Sequence, residues 1–333
     1  MKFTEASKIR NFVVAGHNGC GKTSLCDLML YKAKAVERLG SVDMKTSISD
    51  FTPDEQEKRS SIYSAYLNCS WKGDHFFFTD TPGYGEFVGE VISAFRSCGS
   101  ASIVLDGVNG MEVGASRAWK LAKNFQIPKL IFINRLDREM SDFFAVLEQL
   151  HDAYGKTVCV PVTLPVGREG NFSRVINVLS TPEPEIPDDL KDLAAKYREQ
   201  LLDAVAESDE ELMNRYLEGE QLTEKEISKG LHDAIFAGSM VPVFAGSVAK
   251  DIGVEEYMNG LINLMPNPLE RVRTAADGTV VTPSEDGDAA AFVFKSVADP
   301  FIGQMAFCRV LTGRIKSNSD LFNLNNGTKE HIG

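Results

Sequence analysis

The residues best suited to chemistry form the stretch Gly16-His17-Asn18-Gly19-Cys20-Gly21-Lys22-Thr23, which matches the phosphate-loop pattern G-x-x-x-x-G-K-[ST]. Glycines let the backbone curl so that several N–H groups face one anion, and the N-terminus of the helix that follows adds partial positive charge. Lys22 can reach the β- and γ-phosphates of a nucleotide, and the Thr23 hydroxyl can ligate Mg²⁺. The stretch, together with Ser24, predicts a site for nucleotide phosphates.

A second motif, Asp80-Thr81-Pro82-Gly83, directly follows the apolar run Phe76-Phe77-Phe78. An Asp at the carboxyl end of a strand can hold Mg²⁺ through a water molecule. The N–H of Gly83 can meet a γ-phosphate, since no Cβ obstructs the approach. The four residues are weak evidence alone, but their place downstream of a phosphate loop favours a nucleotide site over a simple turn.

A third motif, Asn134-Arg135-Leu136-Asp137, follows the apolar run 130–133. A carboxylate at Asp137 can accept hydrogen bonds from N1–H and N2–H₂ of guanine, which adenine does not offer, so an adenine would leave it unpaired. Asn134 can bridge the base and the phosphate loop, and Arg135 can lay its stem along the base. Ser247 and Val248 follow a later apolar run, and the backbone there can meet guanine O6.

Four short apolar runs separate stretches with helical spacing, and they are continuous rather than alternating. This pattern is typical of strands covered on both faces, and it predicts a doubly wound, mostly parallel α/β sheet. The runs are 76–78, 101–105, 130–133 and 241–244, in addition to the strand Ile9–Ala15 before the phosphate loop. Because open α/β sheets bind ligands at the carboxyl ends of their strands, we expect the motifs to meet at one edge.

The remaining segments predict how the domains are organised. We expect a nucleotide-binding domain over 1–268, with an inserted α+β subdomain at about 157–238. A linker over 269–288 and part of a β-barrel domain over 289–333 follow. Within the insertion, Ser208 with Glu211 and Thr223 with Glu226 have the spacing of helix capping boxes. The chain stops too early to close its last domain, which indicates a fragment of a longer protein.

The segment 41–59 is polar and weakly periodic, so its plain interpretation is a mobile surface loop. Next to a phosphate loop, it is also where a segment ordered by the ligand would lie. Ser61–Trp71 is predicted to be an edge strand that turns at Lys72-Gly73-Asp74. Helices are predicted near Ser24–Val36 and Ser141–Tyr154.

The composition limits the partners and compartments that the chain suits. The net charge is −12 over 333 residues, so a broad basic surface for nucleic acid is not expected. Residues 181–230 contain 15 acidic and 6 basic residues, a balance of −9. No apolar run approaches the roughly 18 residues of a membrane span, and the N-terminus lacks the apolar core of a secretory signal. Six scattered cysteines without a C-x-x-C pair indicate reduced thiols, so we expect a cytoplasmic protein.

Together these motifs resemble those of the translational GTPases, and specifically the elongation factor G family. Gly16–Thr23 is similar to that family's GHxxxGKT loop, and the sequence QEKRSSI at 56–62 is similar to its switch I element QERGITI. Asp80–Gly83 is similar to its DTPG element, 211–223 to its extra subdomain, and 291–303 to the opening of its β-barrel second domain. The resemblance implies a phosphate-loop GTPase fold, GTP/GDP and Mg²⁺ as ligands, and the ribosome as partner.

Several residues depart from the family pattern. Tyr84 stands where the family usually has the His that helps to position the attacking water, and a phenol with a pKa of about 10 cannot serve as the same base. Ser61 replaces the Thr that ligates Mg²⁺ from switch I but keeps a hydroxyl. Gly19 replaces the usual loop Asp, and Arg135 replaces the Lys of NKxD. These departures resemble a paralogous branch of elongation factor G.

The resemblance implies roles for particular residues. The expected Mg²⁺ ligands are Thr23, Ser61 and Asp80, and the expected catalytic residues are Tyr84, Gly83 and Lys22. In elongation factor G the corresponding inserted subdomain meets the ribosomal stalk protein, so the acidic segment 181–230 is a candidate for that contact. Its plain interpretation is a solvated helical face.

Several other functions stay open on the sequence alone. One is a GTP-dependent ribosome-binding switch with little hydrolysis. Another is a ribosome-protection or release-type GTPase of the same superfamily. An ATP-using phosphate-loop kinase is disfavoured by Asp137.

Overall fold

The computed structural model describes residues 5–274, 278–299 and 303–333. The chain divides into two compact units. One contains Lys8–Pro266, and the other contains Asn267–Gly333 together with Glu5–Ser7. The domain boundaries expected from the sequence stay a prediction.

A seven-stranded sheet forms the centre of the first unit. Its strand order is β2-β3-β1-β4-β5-β9-β6, and every neighbouring pair is parallel except β2 with β3. Strands β7 and β8 form a separate antiparallel pair. The strands are β1 (Ile9–Gly16), β2 (Ala65–Trp71), β3 (Asp74–Asp80), β4 (Ser100–Asp106), β5 (Lys129–Asn134), β6 (Cys159–Pro161), β7 (Thr163–Val166), β8 (Arg174–Asn177) and β9 (Val241–Ala245).

Helices connect the parallel strands, which confirms the predicted doubly wound, mostly parallel α/β sheet. The α-helices are α1 (Lys22–Lys32), α2 (Pro53–Lys58), α3 (Val88–Ser97), α4 (Val113–Asn124), α5 (Phe143–Tyr154), α6 (Lys191–Ala206), α7 (Glu210–Leu217), α8 (Glu224–Ala237) and α9 (Val254–Leu264). In the described part of the chain, none of them is long and apolar enough to span a membrane.

The buried sheet fixes where the motifs lie. All residues of β4, β5 and β9 are buried, as expected for strands covered on both faces. Phe12 on β1 packs edge-on against Phe76 and stacks on Phe78, with ring centroids 5.6 Å and 5.4 Å away. Aromatic pairs at these separations stabilise a core beyond their buried area. This packing holds β1 beside β3, and therefore the phosphate loop beside the end of β3.

Some predicted element boundaries shift in the structure. Helix α1 begins at Lys22 and ends at Lys32, earlier at both ends than the predicted 24–36. Helix α5 begins two residues after the predicted start, because Asp142 caps it by accepting hydrogen bonds from two backbone N–H groups. The predicted edge strand 61–71 is β2, which begins only at Ala65.

The segment 41–59 is not a simple surface loop. It contains the short helix α2, whose first turn is closed by a capping box between Thr52 and Glu55. The side chains of Ser47, Asp50 and Glu55 are buried, each at most 6% exposed. The segment is therefore packed into the first unit through its polar side chains.

Helices α6, α7 and α8 lie between β8 and β9, within the predicted insertion. Strand β6 also falls in that range, although it pairs with β9 in the main sheet. The capping box Thr223–Glu226 is confirmed at α8. The one predicted at Ser208 and Glu211 is wrong, because the Ser208 hydroxyl donates to the carbonyl of Val205 at the end of α6. Asp209 caps α7 instead, since its carboxylate accepts from two N–H groups of the first turn.

The second unit consists of antiparallel strand pairs in its described parts. A pair β10 (Arg273–Thr274) and β11 (Val280–Val281) lies within the segment predicted as a linker. Strands β12 (Ala290–Asp299) and β13 (Gly303–Thr312) form the longest pair, and β14 (Ser319–Asn323) pairs with β15 (Thr328–Ile332). Residues 300–302, between β12 and β13, lie outside the described residues.

Candidate nucleotide-binding site

Four motif-bearing loops leave the same edge of the sheet. They follow β1, β3, β5 and β9, which are parallel to one another. The carboxyl ends of parallel strands in an open α/β sheet share one edge, where such folds bind ligands. The structure thus brings together the phosphate loop, Asp80–Gly83, Asn134–Asp137 and Ser247–Val248.

The phosphate loop curls between β1 and α1 as the motif requires. Gly19 and Gly21 have φ angles of 81° and 93°, in the left-handed region that favours glycine. The Lys22 ammonium donates to the carbonyl oxygen of His17 at 2.8 Å, across the loop. The α1 N-terminus points its free N–H groups into this loop, so the curl is suited to an anion.

Side chains around the loop divide into anchoring and exposed groups. The backbone N–H of Gly114 on α4 donates to Nδ1 of His17 at 3.2 Å, and Glu112 lies 3.4 Å from the other ring nitrogen. Burial raises the pKa of the Cys20 thiol above its usual value, so this cysteine is not an activated thiolate. Ser24, also predicted to bind nucleotide, is exposed on α1.

A cluster of buried oxygen donors lies beside the phosphate loop. The hydroxyl oxygens of Thr23 and Ser61 are 3.1 Å apart, and the Ser61 hydroxyl donates to a carboxylate oxygen of Asp50 at 2.7 Å. Asp80 is 1% exposed. Burial raises its pKa to about 7, and the Lys22 ammonium and Thr23 hydroxyl oppose that rise only in part.

These residues fit a Mg²⁺ ion. Neither carboxylate oxygen of Asp80 has a well-oriented hydrogen-bond partner among the described residues, although the Thr23 hydroxyl is near enough to lower its pKa. A buried carboxylate without a partner is costly, and a cation would relieve that cost. Mg²⁺ prefers hard oxygen ligands such as the Thr23 and Ser61 hydroxyls.

The residues after β3 pack against β1 and the phosphate loop. The Thr81 hydroxyl donates to the carbonyl of Val14 on β1 at 2.8 Å, which fixes the start of this loop. Gly83 lies so close to the phosphate loop that a Cβ there would be 2.5 Å from backbone atoms of Asn18. Tyr84 follows with its side chain 47% exposed. Gly83 therefore lies directly against the phosphate loop, whereas the Tyr84 side chain is about half exposed.

The third and fourth loops are joined by side-chain hydrogen bonds. The Asn134 amide donates to the carbonyl of Cys20 and accepts from the N–H of Val248, both at 3.0 Å. The Ser247 hydroxyl donates to a carboxylate oxygen of Asp137 at 2.6 Å. Asn134 thus ties the phosphate loop to the loop after β9, and Ser247 orients Asp137 through its side chain.

Arg135 is held by a carboxylate that sequence reasoning missed. Its guanidinium donates to Asp106, the last residue of β4, at 2.6 Å. Asp106 is 3% exposed, while the Arg135 side chain is 25% exposed. An Arg–carboxylate pair of this kind is short and directional. The pair fixes where the Arg135 stem lies beside Asn134 and Asp137.

Two further residues that sequence reasoning missed are Asp50 and Glu55. Glu55 is 1% exposed, and one of its oxygens accepts from the N–H groups of Ile62 and Tyr63, both at 3.0 Å. It therefore fixes the chain just after Ser61. The Thr52–Glu55 spacing is that of a capping box, so the sequence held a signal for Glu55. No pattern in the sequence marks Asp50.

Comparison with known proteins agrees with this geometry. The family described as "Elongation factor Tu GTP binding domain" matches residues 7–267. The chain belongs to this family. It is therefore a GTP-binding domain of the translation-factor type, with strands β1 to β9 inside the matched range. The four loops at the sheet edge all lie within the matched range.

Two relatives extend the similarity beyond the GTP-binding domain. Elongation factor G of Thermotoga neapolitana is 33% identical over an alignment of 350 residues. The alignment covers 99% of this chain and 50% of that protein. A crystal structure of a Thermus thermophilus protein superimposes with a TM-score of 0.86 at 31% identity, over 98% of this chain and 48% of the other. The chain thus spans about half the length of these relatives. The likeness to elongation factor G includes the antiparallel strands after Pro266.

Proposed function

We propose that the chain is the GTP-binding and GTP-hydrolysing portion of an elongation-factor-G-like translation factor. The observation that carries the proposal is Asp137, which Ser247 orients at the same sheet edge as a phosphate loop. A fixed carboxylate there pairs with guanine, and the loop pairs with phosphates. Similarity to elongation factor G over nearly the whole chain supports the translational role.

The phosphates of GTP or GDP bind in the curl Gly16–Thr23. The backbone N–H groups of the curl and the α1 N-terminus hold the negative charge, and Lys22 turns from His17 to the terminal phosphates. Thr23, Ser61 and Asp80 would hold Mg²⁺ beside the phosphates of GTP. When bound, the ion neutralises charge that develops on the phosphate oxygens.

The guanine base binds between the loops after β5 and β9. Asp137 accepts from the N1–H and N2–H₂ groups of guanine, and the Ser247–Val248 backbone faces O6. Arg135 lies along one face of the base, fixed by Asp106. Through its hydrogen bonds to Cys20 and Val248, Asn134 holds the phosphate loop and the loop after β9 in fixed positions around the base.

A direct test of the function is nucleotide selectivity. GDP and GTP should bind with Mg²⁺ roughly 100-fold or more tightly than ADP and ATP in calorimetric titrations, because adenine leaves Asp137 unpaired. Release of inorganic phosphate from GTP by the full-length protein should be slow alone and faster with ribosomes. Equal affinities for GTP and ATP would refute the guanine assignment.

The backbone near Gly83 and the Tyr84 side chain position the water that attacks the terminal phosphate in line. The phenol cannot act as a general base near neutral pH, so intrinsic hydrolysis is slow. Tyr84 acts instead by orienting the water through its hydroxyl. The second candidate function is a GTP-dependent ribosome-binding switch, which negligible hydrolysis on ribosomes would favour.

Single-turnover GTP hydrolysis by the full-length protein on ribosomes separates these two functions, and Tyr84→Phe tests whether the phenol hydroxyl contributes. We expect single-turnover GTP hydrolysis by the full-length protein on ribosomes to fall roughly tenfold, since one lost transition-state contact of ~1.4 kcal/mol costs that factor. Tyr31→Phe is the matched control, because Tyr31 on α1 is 45% exposed, close to the exposure of Tyr84, and lies outside the site. A Tyr84→Phe rate equal to that of the parent would remove Tyr84 from the mechanism.

The partner is the ribosome, and the compartment is the cytoplasm. On the ribosome, the acidic segment 181–230 contacts a basic protein surface of the stalk. Its charges act mainly on the encounter rate, since exposed charges are screened beyond about 8 Å at physiological salt. No membrane or broad nucleic-acid surface is assigned to this part of the protein.

A further inference from the structure

Asp27 is a buried carboxylate on α1 that the nucleotide site described above does not use. Its side chain is fully buried, at 0% exposure. One carboxylate oxygen accepts a hydrogen bond from the backbone N–H of Ile48 at 3.0 Å. The other has no well-oriented hydrogen-bond partner among the described residues. Burial raises the pKa of the Asp27 carboxyl, and the Ile48 N–H and the nearby Ser47 hydroxyl oppose that rise only in part. Burying a carboxylate costs folding free energy unless hydrogen bonds compensate for the lost water. The bond from Ile48 is therefore one that the folded chain depends on.

The residue that Asp27 holds belongs to the segment 41–63, which carries Asp50 and Ser61. The backbone just before the segment meets Asp27 at a second point, because a Cβ at Gly40 would lie 2.7 Å from the carboxyl carbon of Asp27. The segment thus begins by packing on α1. Its outer side chains are solvent-exposed, as at Ile48, which is 43% exposed. Apolar burial alone therefore does not hold this part of the segment.

A continuous hydrogen-bonded path runs from this anchor to the metal-binding hydroxyls. Next to Ile48, the Ser47 hydroxyl oxygen accepts from the N–H groups of Ser49 and Asp50, at 3.1 Å and 3.3 Å. The Asp50 carboxylate then accepts from the Ser61 hydroxyl, which lies 3.1 Å from that of Thr23. Asp27 and Thr23 both lie on α1, one turn apart. The path therefore closes a loop that starts and ends on one helix.

We infer that Asp27 is a positioning residue that keeps the segment 41–63 closed over the nucleotide and thereby favours GTP over GDP. The inference rests on the proposed function. GDP needs only the phosphate loop and the loops after β5 and β9, and none of these loops is anchored by Asp27. The triphosphate also needs Ser61, whose position depends on Asp50 and on the anchor at Ile48. Without Asp27 the closed segment would leave the Ile48 N–H without its acceptor, so the segment opens at lower cost.

Asp27→Ala is the primary test, measured on the protein with Mg²⁺ and either GDP or a non-hydrolysable GTP analogue. We expect affinity for the analogue to fall roughly tenfold, the factor that corresponds to losing one buried hydrogen-bond acceptor. Affinity for GDP should stay close to that of the parent. Trypsin should cleave at Lys45 and Arg59 in the analogue-bound variant, whereas the analogue protects the parent at both sites.

Two further variants make the result specific. Asp27→Asn keeps an oxygen that accepts from Ile48 and should restore most of the lost affinity. Asp142→Ala is the matched control, since it also removes an Asp that accepts from backbone N–H groups, at the start of α5. It should change neither the ratio of GTP-analogue to GDP affinity nor the cleavage pattern.

The possible failures are distinguishable. A parent protein that binds neither nucleotide would overturn the proposed function together with this inference. A parent that binds both, with an Asp27→Ala variant of unchanged preference and unchanged protection by the analogue, would overturn the inference alone. Equal losses for GDP and the analogue would also overturn it, because they would indicate general destabilisation of α1.

Discussion

Asp137→Asn should convert the base preference of the site from guanine to xanthine. The carboxamide can no longer accept both guanine donors, but it can donate to the 2-oxo group of xanthine. A site built to hydrogen-bond its ligand loses several orders of magnitude when a partner is mismatched. We expect GDP affinity to fall by roughly 10³-fold or more and XDP affinity to exceed it. Calorimetric titration with both nucleotides measures the exchange.

Ser247→Ala is the matched control for that exchange. It removes the hydroxyl that donates to Asp137 at 2.6 Å and leaves the carboxylate in place. GDP affinity should fall by roughly tenfold, while guanine stays preferred over xanthine. If Asp137→Asn bound GDP as tightly as the parent, Asp137 would not be the base-reading residue.

Gly83→Ala should nearly abolish GTP hydrolysis while GDP still binds. An added Cβ would lie 2.5 Å from the backbone nitrogen and Cα of Asn18 and 2.7 Å from the Lys22 ammonium nitrogen. The backbone of the phosphate loop cannot yield cheaply, so the loop after β3 must move away from the terminal phosphate. Loss of about 2.7 kcal/mol of transition-state stabilisation lowers the rate roughly 100-fold. Single-turnover hydrolysis by the full-length protein on ribosomes measures this.

Gly89→Ala is the control for Gly83→Ala. Gly89 lies on the following helix α3, and a Cβ there would meet no other atom within 4 Å. Alanine also has the higher helix propensity, so this variant should fold and hydrolyse GTP at least as well as the parent. A Gly83→Ala rate within about twofold of the Gly89→Ala rate would mean that the loop after β3 does not position the reacting groups.

The sequence was enough to predict the architecture and the four loops of the site. Each motif directly follows a continuous apolar run, and buried parallel strands are the structures that such runs form. Once the strands are parallel, their carboxyl ends share an edge, so Thr23, Asp80, Asn134 and Ser247 had to meet. Short-range rules also identified the capping box at Thr223. The same rules failed at Ser208, whose hydroxyl bonds back to α6 rather than forward to α7.

What only the tertiary structure decided is how these residues are held. Asp106 at the end of β4 reaches Arg135 after the neighbouring strand β5, Ser247 reaches Asp137 over 110 residues, and Asp27 anchors Ile48 from another element. None of these pairs has a local spacing that would reveal it. The segment 41–59 looked like a loop because it lacks apolar periodicity, yet Asp50 and Glu55 are buried within it. Periodicity reports apolar burial alone, whereas buried polar groups are placed by hydrogen bonds to chain-distant partners, which exist only once the chain has folded.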